Sequence, residues 1–284
     1  MTAARVVAVL GAGTMGRGIA QVLAMAGLDV RLLDAEPGAL EHALEQIRRA
    51  LAEGVARGKL TSASAEQALG RIRPLTALGE AAAGADVVIE AVPERLDLKL
   101  EVLRAARSAS PAAVLASNTS GLSISELQSG IDRPDLVLGL HFFNPVHVMP
   151  LVEVVRGAAT DDDVVAFGVA FARQLGKEPI VVRDSPGFAS SRLGVALGLE
   201  AMRMLEDGVA SAEDIDRAME LGYRHPVGPL RLTDLVGLDV RLSIAEYLHQ
   251  RLGDRFRPPE VLRRMVAEGK LGRKTGEGFY RWQD

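Results

Sequence analysis

The chain has 284 residues, 48% of them hydrophobic and 25% charged, and a net charge of -4. That is the profile of an ordinary globular protein long enough for two domains, and with no basic block it argues against a nucleic-acid partner. Cysteine is absent, which excludes disulfides and cysteine nucleophiles and fits a reducing cytoplasm. No apolar run is long enough to span a bilayer, and the first strand begins too early to leave room for a signal peptide.

Val6 to Leu10 is a short apolar run read as a buried parallel strand. It passes directly into Gly11-Ala12-Gly13-Thr14-Met15-Gly16, and a helical pattern follows. Gly11 permits the tight turn. Gly13 lets a pyrophosphate approach the backbone, and Gly16 lets helix and strand pack closely. The N–H groups and dipole of the helix N-terminus then face the phosphates. A second strand, Val30 to Leu33, ends in Asp34, about 20 residues beyond the glycines, where an acid holds a ribose 2′-hydroxyl. A carboxylate repels a 2′-phosphate, so Asp34 favours NAD over NADP. A bare glycine turn with a solvated acid is the simpler alternative.

Leu40, Leu44, Ile47, Leu51 and Val55 recur at helical spacing. That helix ends near Gly58, and a second helical piece runs from Ala63 to Leu69. Strand-like runs follow at Val87–Ile89, Ala113–Ala116, Leu136–Leu138, Leu151–Val155 and Pro179–Val182. The alternation predicts an α/β fold, a Rossmann-type, doubly wound and mainly parallel sheet over residues 1–183. From Asp184 the strands stop. Asp184-Ser185-Pro186-Gly187 reads as a turn and hinge, and residues 184–284 read as an all-α domain. Its helices are expected over Phe188–Glu206, after an N-cap at Ser211, over Pro229–Leu252 and over Pro259–Glu268. The first is apolar on several faces, which suits either a subunit interface or a central core helix.

Four places carry candidate chemistry. His141 stands at the carboxyl end of an apolar strand, where open α/β sheets bind ligands. It suits a general base, or a core histidine bonded to a carbonyl. Glu153 interrupts an otherwise apolar strand and needs a buried partner. Paired with His141 it forms a base and its orienting carboxylate, which suggests alcohol oxidation beside NAD. Ser117-Asn118-Thr119-Ser120 ends another strand, suited either to the nicotinamide carboxamide or a substrate oxygen, or to capping the next helix. Glu90 and Glu94 flank a further strand end, as ribose acids or as solvated loop acids. No metal-binding cluster is apparent.

These motifs together resemble the 3-hydroxyacyl-CoA dehydrogenases, in particular the bacterial 3-hydroxybutyryl-CoA dehydrogenases. The likeness covers the whole chain. It also draws on Asp184-Ser185-Pro186-Gly187-Phe188, His225-Pro226-Val227-Gly228-Pro229 and the ending Gly272-Arg273-Lys274-Thr275-Gly276-Glu277-Gly278-Phe279-Tyr280. The resemblance implies interconversion of 3-hydroxyacyl-CoA and 3-oxoacyl-CoA with NAD, on short acyl chains, in fatty acid metabolism. It implies His141 as base, Glu153 as its partner, and Ser120 as the contact to the substrate oxygen. It places Gly11, Gly13, Thr14, Met15, Gly16, Asp34, Glu94, Lys99, Asn118 and Ser120 at the cofactor. It places Lys59, Ser120, His141, Asn144 and Ser191 at the acyl-CoA. It also implies a homodimer formed through the helical domain. Ser191 stands where the family usually has Asn, with a shorter side chain and one donor fewer, and Gly121 replaces a frequent second Ser. A relative acting on a free hydroxy acid or sugar acid is a second reading, against which Lys59 speaks. A non-catalytic nucleotide-binding protein is a third, against which His141 and Glu153 together speak.

Overall fold

The computed structural model describes residues 4–282 and divides into two compact units, Met1–Ser185 and Pro186–Asp284. The first is built as β1 (Val6–Leu10), α1 (Thr14–Met25), β2 (Asp29–Leu33), α2 (Pro37–Ala56), α3 (Ser62–Gly70), β3 (Ile72–Leu75), α4 (Leu78–Ala82) and β4 (Val87–Glu90). It continues with α5 (Leu96–Ala109), β5 (Val114–Ser117), α6 (Ile124–Gln128), β6 (Val137–Phe142), β7 (Leu151–Arg156), α7 (Asp162–Gln174) and β8 (Glu178–Arg183). One eight-stranded sheet has the order β3-β2-β1-β4-β5-β6-β7-β8. Every neighbouring pair is parallel except β6 and β7. The order reverses beside β1, so the carboxyl ends of β1 and β4 flank a crevice, the position where such sheets take ligands.

The central strands are buried on both faces, as runs such as Val-Val-Ile and Val-Leu-Ala require. Helix α1 packs Ile19, Ala20, Leu23 and Ala24 against them, and α2 adds Leu40, Ala43, Ile47 and Leu51. Strand β3 has no apolar run to announce it: its sequence is Ile-Arg-Pro-Leu. Proline is tolerated there because β3 is the sheet edge, where a missing N–H costs no ladder bond. Ser123 caps α6 by accepting from Glu126 N at 3.1 Å. Asp184 is tied down, accepting from Ser123 Oγ at 2.7 Å and Ser125 N at 2.8 Å.

The second unit holds α8 (Ser190–Glu206), α9 (Ala212–Tyr223), α10 (Pro229–Val236), α11 (Leu238–Leu252) and α12 (Glu260–Ala267), with no strand among its described elements. The helix expected over Pro229–Leu252 is two helices, because Gly237 takes φ 104° and breaks it. In α8, Val195, Leu199, Ala201 and Met202 sit in this unit's core, whereas Leu193 is exposed. Ser211 caps α9 through Asp214 N. The glycine-rich ending is a structural clasp on Asp234, which accepts from Phe279 N, Tyr280 N and Trp282 Nε1 at 2.8 to 2.9 Å. A Cβ on Gly278 would stand 2.3 Å from Asp234 Oδ1, so glycine is required there.

Candidate active site

Two adjoining cavities open along the carboxyl edge of the sheet in the first unit. The larger, about 720 Å³, is lined by Gly11, Gly13, Thr14, Met15, Asp34, Leu33, Thr76, Leu78, Ala91, Leu98 and Val102 among others. The smaller, about 320 Å³, is lined by Met15, Ala91, Val92, Glu94, Lys99, Asn118, Ser120, His141, Phe142, Phe143 and Asn144. Met15, Ala91 and Val92 border both.

The glycines of the first turn differ in what they do. A Cβ on Gly11 would lie 2.7 Å from Ala91 O, and its φ is +106°. A Cβ on Gly16 would lie 1.7 Å from Gly11 O. These two are demanded by the protein's own packing. Gly13 has nothing within 4 Å, so the space above it is left for a ligand. Helix α1 carries no side-chain cap and no acid in its first turn, which leaves its N–H groups and positive end for an anion. Asp34 accepts from Ala12 N at 2.8 Å and from Glu36 N at 3.1 Å, so it braces the glycine turn and lines the larger cavity. An apolar slot, an acid at the end of β2 and an open turn at a helix N-terminus fit a dinucleotide. Bound there, the cofactor supplies hydride acceptance and donation.

In the smaller cavity, β6 and β7 place His141 opposite Glu153 in an antiparallel register. His141 Nδ1 and Glu153 Oε2 are 2.7 Å apart, and Glu153 is fully buried. Asn118 is held with its Oδ1 accepting from Phe142 N at 2.9 Å. Ser120 contacts Glu94 through its backbone N at 3.1 Å and its Oγ at 3.4 Å, both to Oε1. Lys99 bridges Glu90 Oε1 at 2.7 Å and Glu94 Oε2 at 3.2 Å.

Glu90 is not a solvated loop acid: it is fully buried. Its Oε1 accepts from Val92 N and Lys99 Nζ, both at 2.7 Å, and its Oε2 accepts from Ser117 Oγ at 2.6 Å. Burial pushes its carboxyl above the usual carboxylate range, and Lys99, Ser117 and the Val92 N–H oppose that shift. The spacing of Glu90 and Lys99 spans a strand end, a loop and a helix start. No periodicity marks it in the sequence, though an acid closing an apolar strand was a usable sign.

The structure therefore brings together His141, Ser120, Asn118, Asn144, Glu94 and Lys99 around one cavity, with Glu153 buried behind His141, and Gly11, Gly13, Thr14, Met15 and Asp34 around its neighbour. Lys59 is exposed beyond α2 and lines neither cavity. Ser191 is half-buried in the first turn of α8, in the second unit. Among the described residues no group of three His, Cys, Asp or Glu side chains is placed to hold a metal, and no helix is long and apolar enough to cross a membrane.

A doubly wound sheet with a dinucleotide cleft, and a histidine–carboxylate pair beside it, defines a nucleotide-dependent dehydrogenase. Residues 6–185 match the model of the 3-hydroxyacyl-CoA dehydrogenase NAD binding domain, and residues 187–282 that family's C-terminal domain. A probable 3-hydroxybutyryl-CoA dehydrogenase of Bacillus subtilis is 44% identical over 278 residues, 97% of this chain and 96% of the relative. The crystal structure of (S)-3-hydroxybutyryl-CoA dehydrogenase from Ralstonia eutropha superposes with a TM-score of 0.95 at 42% identity, over 99% of this chain and all of that one. A 3-hydroxyadipyl-CoA dehydrogenase of Escherichia coli is 42% identical over 98% of this chain and 59% of its own length. The chain belongs to the 3-hydroxyacyl-CoA dehydrogenase family, and its first unit carries that family's NAD-binding domain.

Proposed function

We propose that the protein interconverts short-chain 3-hydroxyacyl-CoA and 3-oxoacyl-CoA, with 3-hydroxybutyryl-CoA and acetoacetyl-CoA as its working pair. The observation that carries this is the buried 2.7 Å contact between His141 and Glu153 on the wall of a cavity continuous with the dinucleotide cleft. His141 takes the hydroxyl proton through Nε2 as the alcohol carbon gives up its hydride. Glu153 holds Nδ1–H, fixing the tautomer and stabilising the imidazolium that forms. Ser120 supports the substrate oxygen. Asn118 and Asn144 line the reaction cavity, Asp34 receives the adenosine ribose, and Glu94 and Lys99 receive the nicotinamide side. Lys59 and Ser191 are assigned to the acyl-CoA. The names of the relatives support the substrate class, as do the cleft and the pair. The proposal includes a cytoplasmic homodimer joined through the helical unit. Leu193, Leu221 and Tyr223, each about 70 to 75% exposed, support such an interface.

The test is NADH oxidation followed by absorbance with a panel of 3-oxoacyl-CoA esters and free 3-oxo acids, and with NADPH in parallel. Turnover of acetoacetyl-CoA well above longer esters, the free acids and the NADPH arm is expected. Turnover of free acids alone would move the protein to the hydroxy-acid reading. No turnover with any of them would leave it a nucleotide-binding protein.

A further inference from the structure

The buried network behind the reaction cavity has a use that the proton-transfer pair does not explain. Lys99 is 1% exposed and stands between two carboxylates. Glu90, fully buried, receives only donors: Val92 N, Lys99 Nζ and Ser117 Oγ. Burial favours the neutral carboxyl, and the Lys99 ammonium, the Ser117 hydroxyl and the Val92 N–H oppose it. Glu94 receives Thr119 Oγ1, Ser120 N and Ser120 Oγ on one oxygen and Lys99 on the other. One cation against two anions leaves the group net negative by one charge. Lys99 and Glu94 line the cavity wall itself, and Glu90 sits directly behind Lys99.

A fold that needed only to neutralise a buried lysine would require one carboxylate. The second, Glu94, is 44% exposed at the cavity wall, so the fully buried negative charge is that of Glu90, which faces the cavity through Lys99. The nicotinamide ring is cationic in the oxidised cofactor and neutral in the reduced one. We propose that Glu90 sets the preference of the cleft between the two redox states of the cofactor, by making the wall behind Lys99 net negative and so favouring NAD+ relative to NADH. This rests on the dehydrogenase reading above. Glu90 touches neither substrate nor cofactor; it acts through the charge balance at Lys99. The His141–Glu153 pair also faces this cavity, but its charge is the same in every variant below and cancels from the comparison.

The experiment measures Kd for NADH by fluorescence and Kd for NAD+ by competition, at neutral pH and fixed ionic strength, without substrate. The readout is the ratio of the two. Glu90→Gln keeps size and shape and removes the charge. Loss of one negative charge from the wall, attenuated by rearrangement of Lys99, should shift the ratio by about five- to tenfold in favour of NADH. The double variant Glu90→Gln with Lys99→Met removes the ion pair as a unit and restores a net charge of minus one. Its ratio should return to within about twofold of the parent protein.

A folded Glu90→Gln protein with an unchanged ratio would overturn the proposal. So would a double variant shifted as far as the single one, since the effect would then lie in geometry. If Glu90→Gln loses its cooperative melt, Glu94→Gln makes the same charge change at the solvent-side carboxylate and leaves the buried pair intact. It should shift the ratio in the same direction, and no shift would be equally decisive against the idea. Failure of the parent protein to bind either nucleotide is a different result: it removes the dehydrogenase reading itself.

Discussion

At the scale of single residues, the proposed function makes His141 and Glu153, 2.7 Å apart, one functional unit. His141→Ala should lower kcat/KM by about 10²–10⁴-fold while NADH binding persists. Glu153→Gln should lose a large part of the same factor, because an amide neither stabilises imidazolium nor enforces the right tautomer. The double variant should be little worse than the histidine variant alone. A cycle on acetoacetyl-CoA reduction, with melting curves to show that each variant folds, decides it; simple additivity would return Glu153 to a structural role. Asp34 lines the cleft and braces the turn through Ala12 N, and the proposed function adds the adenosine ribose as its ligand. Asp34→Ala should therefore weaken NADH and NADPH binding together, with the larger loss for NADH. Titrations that show equal losses would leave only the bracing role. Both residues stood out in the sequence, each as a charge ending or interrupting an apolar strand. Glu90 bore the same mark, yet its burial followed from a loop and a helix start that carry Lys99 back beneath it, a return that no local pattern announces.

At the scale of elements, the first turn separates packing from binding. Gly16→Ala would place a methyl group 1.7 Å from Gly11 O, so the strand–helix joint must shift and stability should fall by several kcal/mol, at the upper end of point-mutant effects. Gly13→Ala meets nothing within 4 Å. It should leave the melting temperature near that of the parent and weaken NADH by about tenfold or more, through the phosphate it crowds. Calorimetry and NADH titration on the two variants separate these outcomes. Equal loss of stability in both would mean that the space above Gly13 has no ligand purpose. The strands that form the middle of the sheet were legible because burial on both faces demands unbroken apolar runs. Strand β3 was not, because an edge strand can carry Arg73 and Pro74 and still pair with β2. The break at Gly237 was equally hidden, since helical periodicity continues on both sides of it and only the backbone reveals its φ of 104°.

At the scale of the molecule, stability is unevenly placed. The helical unit buries Arg241 to 6% exposure, with its Nε lacking a partner. Burial alone lowers its pKa to about 10. The folded state thus disfavours the charged form; the penalty is complete at neutral pH and is relieved only as pH rises through about 10. Arg241→Met fills similar volume without the charge and should raise the melting temperature at pH 7 by about 2–4 °C. A lower melting temperature, measured by calorimetry at matched concentration, would show that an anion outside the described contacts stabilises the guanidinium.

The antiparallel pairing of β6 with β7 has a wider consequence. His141 faces Glu153 because the backbone ladder sets Phe142 against Val152 and Leu140 against Val154. A slip of one residue would turn Glu153 to the opposite face and leave a bare imidazole beside an orphaned acid. The geometry of this pair is thus inherited from main-chain hydrogen bonds between two buried strands. Chemistry and architecture share one point of failure here. Agents that fray the surface helices should leave proton transfer intact, and whatever loosens this pair of strands disarms the protein before it unfolds.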